Sequence, residues 1–318
     1  MKSVLILTDG KAGHENQSKA FARALGCEFD LVKVSMGRGA KVLTYLLDFL
    51  IGRMHLAFLK GLAKRLFSTE VPIDELGARG YAAVLGTGSG TFFAAKWTAW
   101  RIGVKCGVVL YPRGYDLAGF DCILAPEFDN PRDAPNIIRI PSNLVAGDEA
   151  FYANGVEAFR SRHMGATDNA VAVIVGGPNK CSTMSAAWMK SRLDEVFAEN
   201  AGADLWVTTS RRTPSEVEKV VDGYPWAYKL VYSRDHFNPI PAFVSLAKRL
   251  YVTAESTGML SEACMFGTSE VRVLDNLKSG PNKFRRFVET LRESGYIDGA
   301  RKIDLGAQFT RAREIMEV

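Results

Sequence analysis

The sequence predicts an α/β fold: two successive doubly wound parallel-sheet domains with a ligand cleft between them. Three observations carry this expectation. Short apolar runs such as VLIL and AVAVIV are uninterrupted rather than alternating, as strands covered on both faces require. They alternate with stretches of helical spacing almost throughout. The cycle lapses over residues 142–169 and then begins again at Ala170.

In the first cycle, Val4–Leu7 reads as a strand and Gln17–Leu25 as a helix. Phe29–Val34 and Ala82–Leu85 are the next strands, and a helix follows through Phe92–Ile102. Lys105–Leu110, Cys122–Ala125 and Ile137–Ile140 are further strands. The second cycle runs strand Ala170–Val175, helix Met184–Asn200, strand Asp204–Thr209 and helix Pro214–Val221. It continues with strand Lys229–Tyr232, helix Ala242–Arg249, strand Leu250–Thr253 and helix Thr257–Phe266. Strand Glu270–Leu274 and helix Lys283–Ser294 complete it, and the tail Phe309–Val318 is helical. The domains are expected at 1–155 and 156–304. No period of 20–50 residues repeats, which excludes a solenoid.

Bulk properties exclude several function classes. The chain has 318 residues, 47% of them apolar, and a net charge of only +5. That suits a packed core and anionic small molecules, and no basic run or motif points to nucleic acid. Five cysteines, at 27, 106, 122, 181 and 264, are dispersed without CxxC or metal-ligand spacing. They imply a reducing compartment, no disulfide framework and no metal site. The opening apolar run is too short for a secretory signal, and no stretch is long enough to span a bilayer. A cytoplasmic protein is expected.

Five loops that follow predicted strands carry candidate chemistry, because open sheets bind ligands at strand C-termini. The first is TDGKAGHENQ, with Asp9, Gly10, Lys11, Gly13, His14, Glu15 and Asn16. Its glycines allow close backbone approach, and histidine is the side chain suited to proton exchange near neutrality. The bland alternative is a helix-entry turn. The second is GTGSGT, with Gly88 and Ser89. It lacks the last glycine of a dinucleotide fingerprint, where Thr91 stands, so it reads as close packing or a ligand contact and not as an NAD site.

The third, GGPNK, offers the amides of Gly176 and Gly177, with Asn179, the charge of Lys180, and Ser182, Thr183 or Ser185 as helix caps. It lacks Walker A spacing. The fourth, TTSRRTP, places Ser210, Arg211 and Arg212 at a strand end as a candidate phosphate clamp. The fifth, TAESTGMLSEA, puts Glu255, Ser256, Thr257, Gly258 and Met259 at a helix N-terminus, a seat for a diphosphate. Glu262 lies about one turn inside, where a carboxylate could accept both hydroxyls of a ribose or simply complement the helix dipole. Together the three loops of the second half favour a nucleotide diphosphate, leaving the first half for the acceptor.

Residues 41–67 form a basic, apolar segment. Lys41, Arg53, Lys60, Lys64 and Arg65 face one acid, Asp48, among Leu46, Leu47, Phe49, Leu50, Ile51, Leu56, Phe58, Leu59, Leu62, Leu66 and Phe67. It reads as a helical hairpin packed on the first sheet; the alternative is that part of it contacts a membrane surface, a lipid acceptor or a partner.

The set DGKAGHENQ, GGPNK, TTSRRTP and VTAESTGMLSEA resembles the mitochondrial-fission factor family, known for elongated mitochondria when lost, and its bacterial relatives. More remotely the layout is similar to GT-B glycosyltransferases of the lipid I N-acetylglucosaminyltransferase type. That resemblance implies two Rossmann-like domains. It implies a base at His14, and a UDP-sugar held at Gly176–Gly177, Ser256–Gly258 and Glu262. It also implies a final helix, 305–318, that packs back on the first domain. The chain departs from the cell-wall enzyme in its less glycine-rich first loop and in GGPNK where that enzyme has GGSxG.

The expected function is therefore an inverting, metal-independent glycosyltransferase that needs no cofactor beyond its nucleotide-diphosphate sugar. Its acceptor would be lipid-linked or membrane-proximal, and the protein peripheral at the inner face of a membrane. A sugar-nucleotide 2-epimerase of the same fold and a non-catalytic interaction protein are the alternatives.

Overall fold

The computed structural model describes residues 2–37, 39–54, 66–165, 169–299 and 301–318. The described chain divides into two compact units, Met1–Ala146 with Leu305–Val318, and Gly147–Asp304.

The first unit is a seven-stranded sheet in the order β3-β2-β1-β4-β5-β6-β7. The strands are β1 (Ser3–Thr8), β2 (Glu28–Met36), β3 (Phe67–Thr69), β4 (Ala83–Thr87), β5 (Lys105–Val109), β6 (Cys122–Pro126) and β7 (Ile137–Ile140). All neighbours are parallel except β2 and β3, which pair antiparallel with Val34 opposite Thr69. The short edge strand β3 is absent from the sequence reading because three residues, FST, present no periodic signal. Strands β1, β4 and β6 are buried almost along their whole length, as their uninterrupted apolar runs require.

Helices α1 (Ala12–Ala24), α2 (Ala40–Met54), α3 (Ile73–Ala78) and α4 (Phe92–Ile102) belong to this unit. Phe21 of α1 is fully buried, and each such side chain contributes about 1.5–3 kcal/mol relative to exposure. Of the expected hairpin at 41–67, residues 55–65, with Lys60, Lys64, Arg65, Leu56, Phe58, Leu59 and Leu62, lie outside the described residues. So do the side chains of residues 50–54.

The second unit opens with α5 (Glu149–Arg162), whose N-cap Asp148 accepts the Phe151 N–H at 2.9 Å. The unit boundary thus falls at 146/147, where the sequence reading put it at 155/156. The reason is packing: Gly155 of α5 lies so close to Pro241 that a Cβ there would sit 2.5 Å from the proline ring. The sheet order is β10-β9-β8-β11-β12, all parallel. Its strands are β8 (Ala170–Ile174), β9 (Asp204–Thr208), β10 (Tyr228–Leu230), β11 (Arg249–Thr253) and β12 (Glu270–Leu274). Helices α6 (Ala186–Glu199), α7 (Ser215–Asp222), α8 (Ile240–Leu246), α9 (Thr257–Met265) and α10 (Lys283–Glu293) complete it.

The last helix, α11 (Gly306–Met316), belongs to the first unit. Lys105 donates to the Ile315 carbonyl at 2.7 Å, Lys2 to the Glu317 carbonyl at 2.8 Å, and Arg313 to the Ala24 carbonyl at 2.7 Å. No helix among the described residues is long and apolar enough to cross a membrane.

Candidate functional site

Each sheet reverses its strand order once, between β1 and β4 in the first unit and between β8 and β11 in the second. Loops diverge at such a point and leave a crevice at the strand C-termini. The candidate residues gather at these two places.

In the first unit, Gly10 adopts φ +77 after β1, and α1 begins at Ala12 without a side-chain cap. This turn brings Asp9 and His14 together. His14 Nδ1 lies 3.1 Å from both oxygens of the Asp9 carboxylate. A carboxylate only accepts, so Nδ1 carries the hydrogen, and in the ring's neutral form Nε2 keeps its lone pair. Lys11 donates to the same carboxylate at 2.6 Å. Burial works to raise the Asp9 pKa, but the Lys11 hydrogen bond and the His14 and Lys11 charges outweigh it and the net shift is downward. The His14 side chain is still 25% exposed, so the ring can meet a ligand.

The GTGSGT loop is close packing against this pair. A Cβ on Gly88, itself at φ +80, would lie 2.5 Å from His14 Cε1, and one on Gly90 would lie 2.8 Å from Asp9 Oδ2. At Gly88 both the space and the φ call for glycine, and at Gly90 a side chain would press on the Asp9 carboxylate. Buried Ser18 and Thr87, 2.7 Å apart through their hydroxyls, tie α1 to the end of β4. Ser89 takes a hydrogen bond from Lys41 of α2 at 2.9 Å. Glu15 pairs with Lys19 at 2.6 Å along the helix, and Asn16 is exposed.

In the second unit, the GGPNK turn differs from the expected phosphate cradle. The Gly177 N–H donates to Glu255 Oε1 at 2.8 Å, and the Gly176 N–H to Thr253 Oγ1 at 2.9 Å. Both amides are thus spent on the chain's own side chains. Glu255 is only 2% exposed, and no hydrogen-bond partner meets its Oε2 among the described residues. The Gly176 carbonyl accepts from Thr213 at 2.5 Å, and the Arg212 carbonyl crowds the Gly177 Cα. The loops after β8, β9 and β11 are therefore locked together. Ser210 and Asn179 serve the turns themselves: the Ser210 N–H donates to Thr213 and the Cys181 N–H to Asn179, each at 2.8 Å. Of the three proposed caps, Ser185 caps α6, accepting the Trp188 N–H at 3.2 Å. Lys180, Arg211 and Arg212 are exposed at the rim.

Helix α9 starts directly after Glu255. Its N-cap, Ser256, makes no side-chain capping bond, and the first intrahelical bond is Leu260 N–H to the Ser256 carbonyl at 3.0 Å. The N–H groups of Thr257, Gly258 and Met259 precede that bond, so the helix leaves them to an outside acceptor. One turn on, Glu262 Oε1 accepts from Tyr152 at 3.0 Å. Burial drives the Glu262 pKa up, the Tyr152 bond pulling it partly back. Burial and the Glu262 charge likewise push the Tyr152 hydroxyl above its usual range.

The sequence marks Asp9 and Glu255 without showing what they hold; it gives no role to Thr213 and Thr253, which stand inside TTSRRTP and TAESTGMLSEA, and does not mark Tyr152. Thr253 carries a usable signal, a polar residue closing the apolar run RLYV. Tyr152 carries none, being 110 residues from its partner. Among the described residues, no group of three His, Cys, Asp or Glu side chains could hold a metal ion.

A family model described as mitochondrial fission ELM1 matches residues 12–312. An uncharacterized protein of Rickettsia prowazekii, RP120, is 31% identical over 103 residues, which is 30% of this chain and 29% of the Rickettsia protein. The chain therefore matches under a third of that relative's length. Three solved structures share the fold across 100% of this chain. The UDP-GlcNAc 2-epimerase of Neisseria meningitidis, bound to UDP-GlcNAc, is 13% identical with a TM-score of 0.53 over 98% of its chain. The UDP-GlcNAc 2-epimerase of Methanocaldococcus jannaschii is 13% identical with a TM-score of 0.52 over 99% of its chain. The S. aureus MnaA–UDP co-structure is 13% identical with a TM-score of 0.51 over 88% of its chain. At such identities the likeness establishes the fold, a GT-B-like pair of Rossmann-like units.

Proposed function

The chain belongs to the mitochondrial fission ELM1 family, and from that premise and its GT-B-like fold we propose that it binds a nucleotide-diphosphate sugar and transfers the sugar. The observation that carries this reading is the start of α9. An uncapped helix N-terminus at the switch point of the second sheet offers three amides and a positive dipole end to a diphosphate. Glu255 rigidifies that corner from beneath by holding Gly177. Glu262, one turn inside, supplies a carboxylate for ribose hydroxyls. The structures of similar fold that hold UDP or UDP-GlcNAc favour UDP as the nucleotide.

His14 is the base in this reading, and Asp9 its positioning partner. Nε2 takes the proton of an acceptor hydroxyl as that oxygen bonds to the anomeric carbon. The bond from that carbon to the diphosphate oxygen breaks on the opposite face, and UDP leaves. The α9 amides, with Lys180 and Arg211, take up the charge that develops on the diphosphate.

Calorimetry with UDP, GDP, ADP and TDP tests the binding step. UDP binding that is lost on Glu262→Ala supports the reading, and silence from all four nucleotides ends it. Incubation with UDP-GlcNAc alone then separates the reactions. Transfer predicts no turnover without an acceptor, whereas conversion of the sugar without one would assign epimerisation.

A further inference from the structure

The first unit holds a second recess that the nucleotide-sugar reading leaves unused. It is a cavity of about 510 Å³ lined by Phe49, Tyr111, Pro112, Tyr115, Leu117 and Arg132, among others. That volume suits a small-molecule site.

Its wall is the segment that leaves β5. Leu110 turns that corner with φ +74, a conformation few non-glycine residues adopt and one that concentrates at functional sites. The segment is braced against α2. The Tyr115 and Tyr45 rings are 4.5 Å apart, and Tyr115 and Thr44 share a hydroxyl hydrogen bond of 3.1 Å. The Asp116 N–H donates to buried Asp48 at 2.7 Å, while Lys96 donates to Asp48 at 2.8 Å and to the Asp116 carbonyl at 2.7 Å. Asp116 also lines the recess, its carboxylate accepting the Ala118 N–H. The walls are therefore fixed before any ligand arrives.

The recess adjoins the His14 loop. The Gly88 N–H, beside His14, donates to the Val109 carbonyl at 3.4 Å. Tyr111 is two residues further on, at most about 7 Å of chain.

Two features define what would fit. Arg132 is exposed, and no hydrogen bond or ion pair engages it among the described residues. Phe49, 49% exposed, continues outward into an apolar stripe on α2, with Leu46 at 56% and Val42 at 75%. Spacings of three and four put these side chains on one helix face, a track about 10 Å long. It ends beside Lys41 and Ser89, next to Gly88.

We propose that this recess and stripe bind a single-chain amphiphile with one anionic head group, a phosphate or a carboxylate. The head group lies in the recess against Arg132, and the hydrocarbon runs along Phe49, Leu46 and Val42. This deepens the transferase reading by naming what anchors its acceptor: the head group and chain hold the molecule, and the hydroxyl that His14 activates is a further group on it. It rests on that reading for the acceptor role, not for the binding.

The test is calorimetry with dodecyl phosphate below its critical micelle concentration, beside dodecyl maltoside and inorganic phosphate. Dodecyl phosphate should bind one to one and about tenfold tighter than either comparison. Arg132→Gln should remove most of its advantage over the maltoside. The double change Val42→Gln, Leu46→Gln should weaken both detergents about tenfold while inorganic phosphate is unaffected. These positions are exposed, so melting temperature and UDP binding should not move. The proposal is overturned if dodecyl phosphate binds no tighter than inorganic phosphate, if neither variant changes its affinity, or if binding appears only above the micelle threshold or on vesicles. Dodecyl phosphate binding without UDP binding would instead end the nucleotide-sugar reading and leave this site standing.

Discussion

Asp9 grips His14 by one nitrogen, both carboxylate oxygens lying 3.1 Å from Nδ1. The grip assigns the hydrogen to Nδ1 and turns the other nitrogen into the acceptor. Asp9→Asn offers one oxygen where two now compete, or presents an NH₂ to Nδ1. Nitrogen NMR of the His14 ring at neutral pH should show the Nδ1–H tautomer in the wild type and a mixed population in Asp9→Asn. In any transfer assay His14→Ala should cost about 10²–10⁴-fold. Wild-type turnover in His14→Ala would remove it from the chemistry, and an unchanged tautomer in Asp9→Asn would remove Asp9 from its positioning role.

Gly88 and Gly258 make a contrasting pair. A Cβ on Gly88 would collide with the His14 ring at 2.5 Å and strain a φ of +80. Gly88→Ala should therefore destabilise the first unit by about 1–3 kcal/mol and displace His14. A Cβ on Gly258 meets nothing within 4 Å, and its φ is ordinary. Gly258→Ala in the first turn of α9 should leave stability level or raise it by up to about 1 kcal/mol. Chemical denaturation reads the difference, followed through Trp97 and Trp100 of the first unit for Gly88→Ala and through Trp188, Trp206 and Trp226 of the second for Gly258→Ala. Equal effects at the two positions would contradict the close approach.

Glu262 sets a pH dependence of defined sign. Burial raises its pKa above the ordinary 4.5, although Tyr152 donates to it. Between 4.5 and the folded value the unfolded chain has lost a proton that the native chain keeps. Stability therefore falls as pH rises through that window and is level above it. Glu262→Gln keeps a side-chain oxygen for Tyr152 and has no proton to lose. Denaturant midpoints at pH 4, 5, 6 and 7 should show the wild type losing ground against Glu262→Gln as pH rises. Parallel curves would mean that the Glu262 carboxyl is no more buried in the native state than in the unfolded one.

The strands and the loops after them were legible because uninterrupted apolar runs report buried parallel strands residue by residue. Leu5, Val84, Ile123 and Val173 are all fully buried. Helix α5 was not, because its buried positions are only Tyr152 and Phe159, too sparse for a periodic signal. Within the sites, glycine placement was visible and its purpose was not. GGPNK looks like a phosphate loop, yet its amides meet Glu255 and Thr253, 78 and 77 residues away. The Asp9–His14 contact is only five residues long, but it depends on the positive φ at Gly10, which composition permits without requiring.

The brace beneath the amphiphile recess can be tested without any ligand. Asp48 is 4% exposed and Lys96 16%, and the two form an ion pair of 2.8 Å. Burial raises the Asp48 pKa more than Lys96 and the Asp116 N–H lower it. Lys96→Met should leave a buried carboxylate without its cation and cost about 3 kcal/mol at pH 7. The sign of the pH effect follows from the upward shift. Below the folded pKa the native carboxyl is neutral and needs no cation, so the cost of Lys96→Met should shrink as pH falls toward 4. Asp48→Asn in the Lys96→Met background removes the stranded charge while an amide oxygen still accepts from Asp116, so it should recover most of the loss. Urea denaturation of the wild type and the two variants at pH 7 and pH 4.5 decides the matter. A penalty for Lys96→Met that is the same at both pH values, and undiminished by Asp48→Asn, would show that Lys96 acts there by packing on Phe120, 5.0 Å from its ring centre, and not as the partner of a charge.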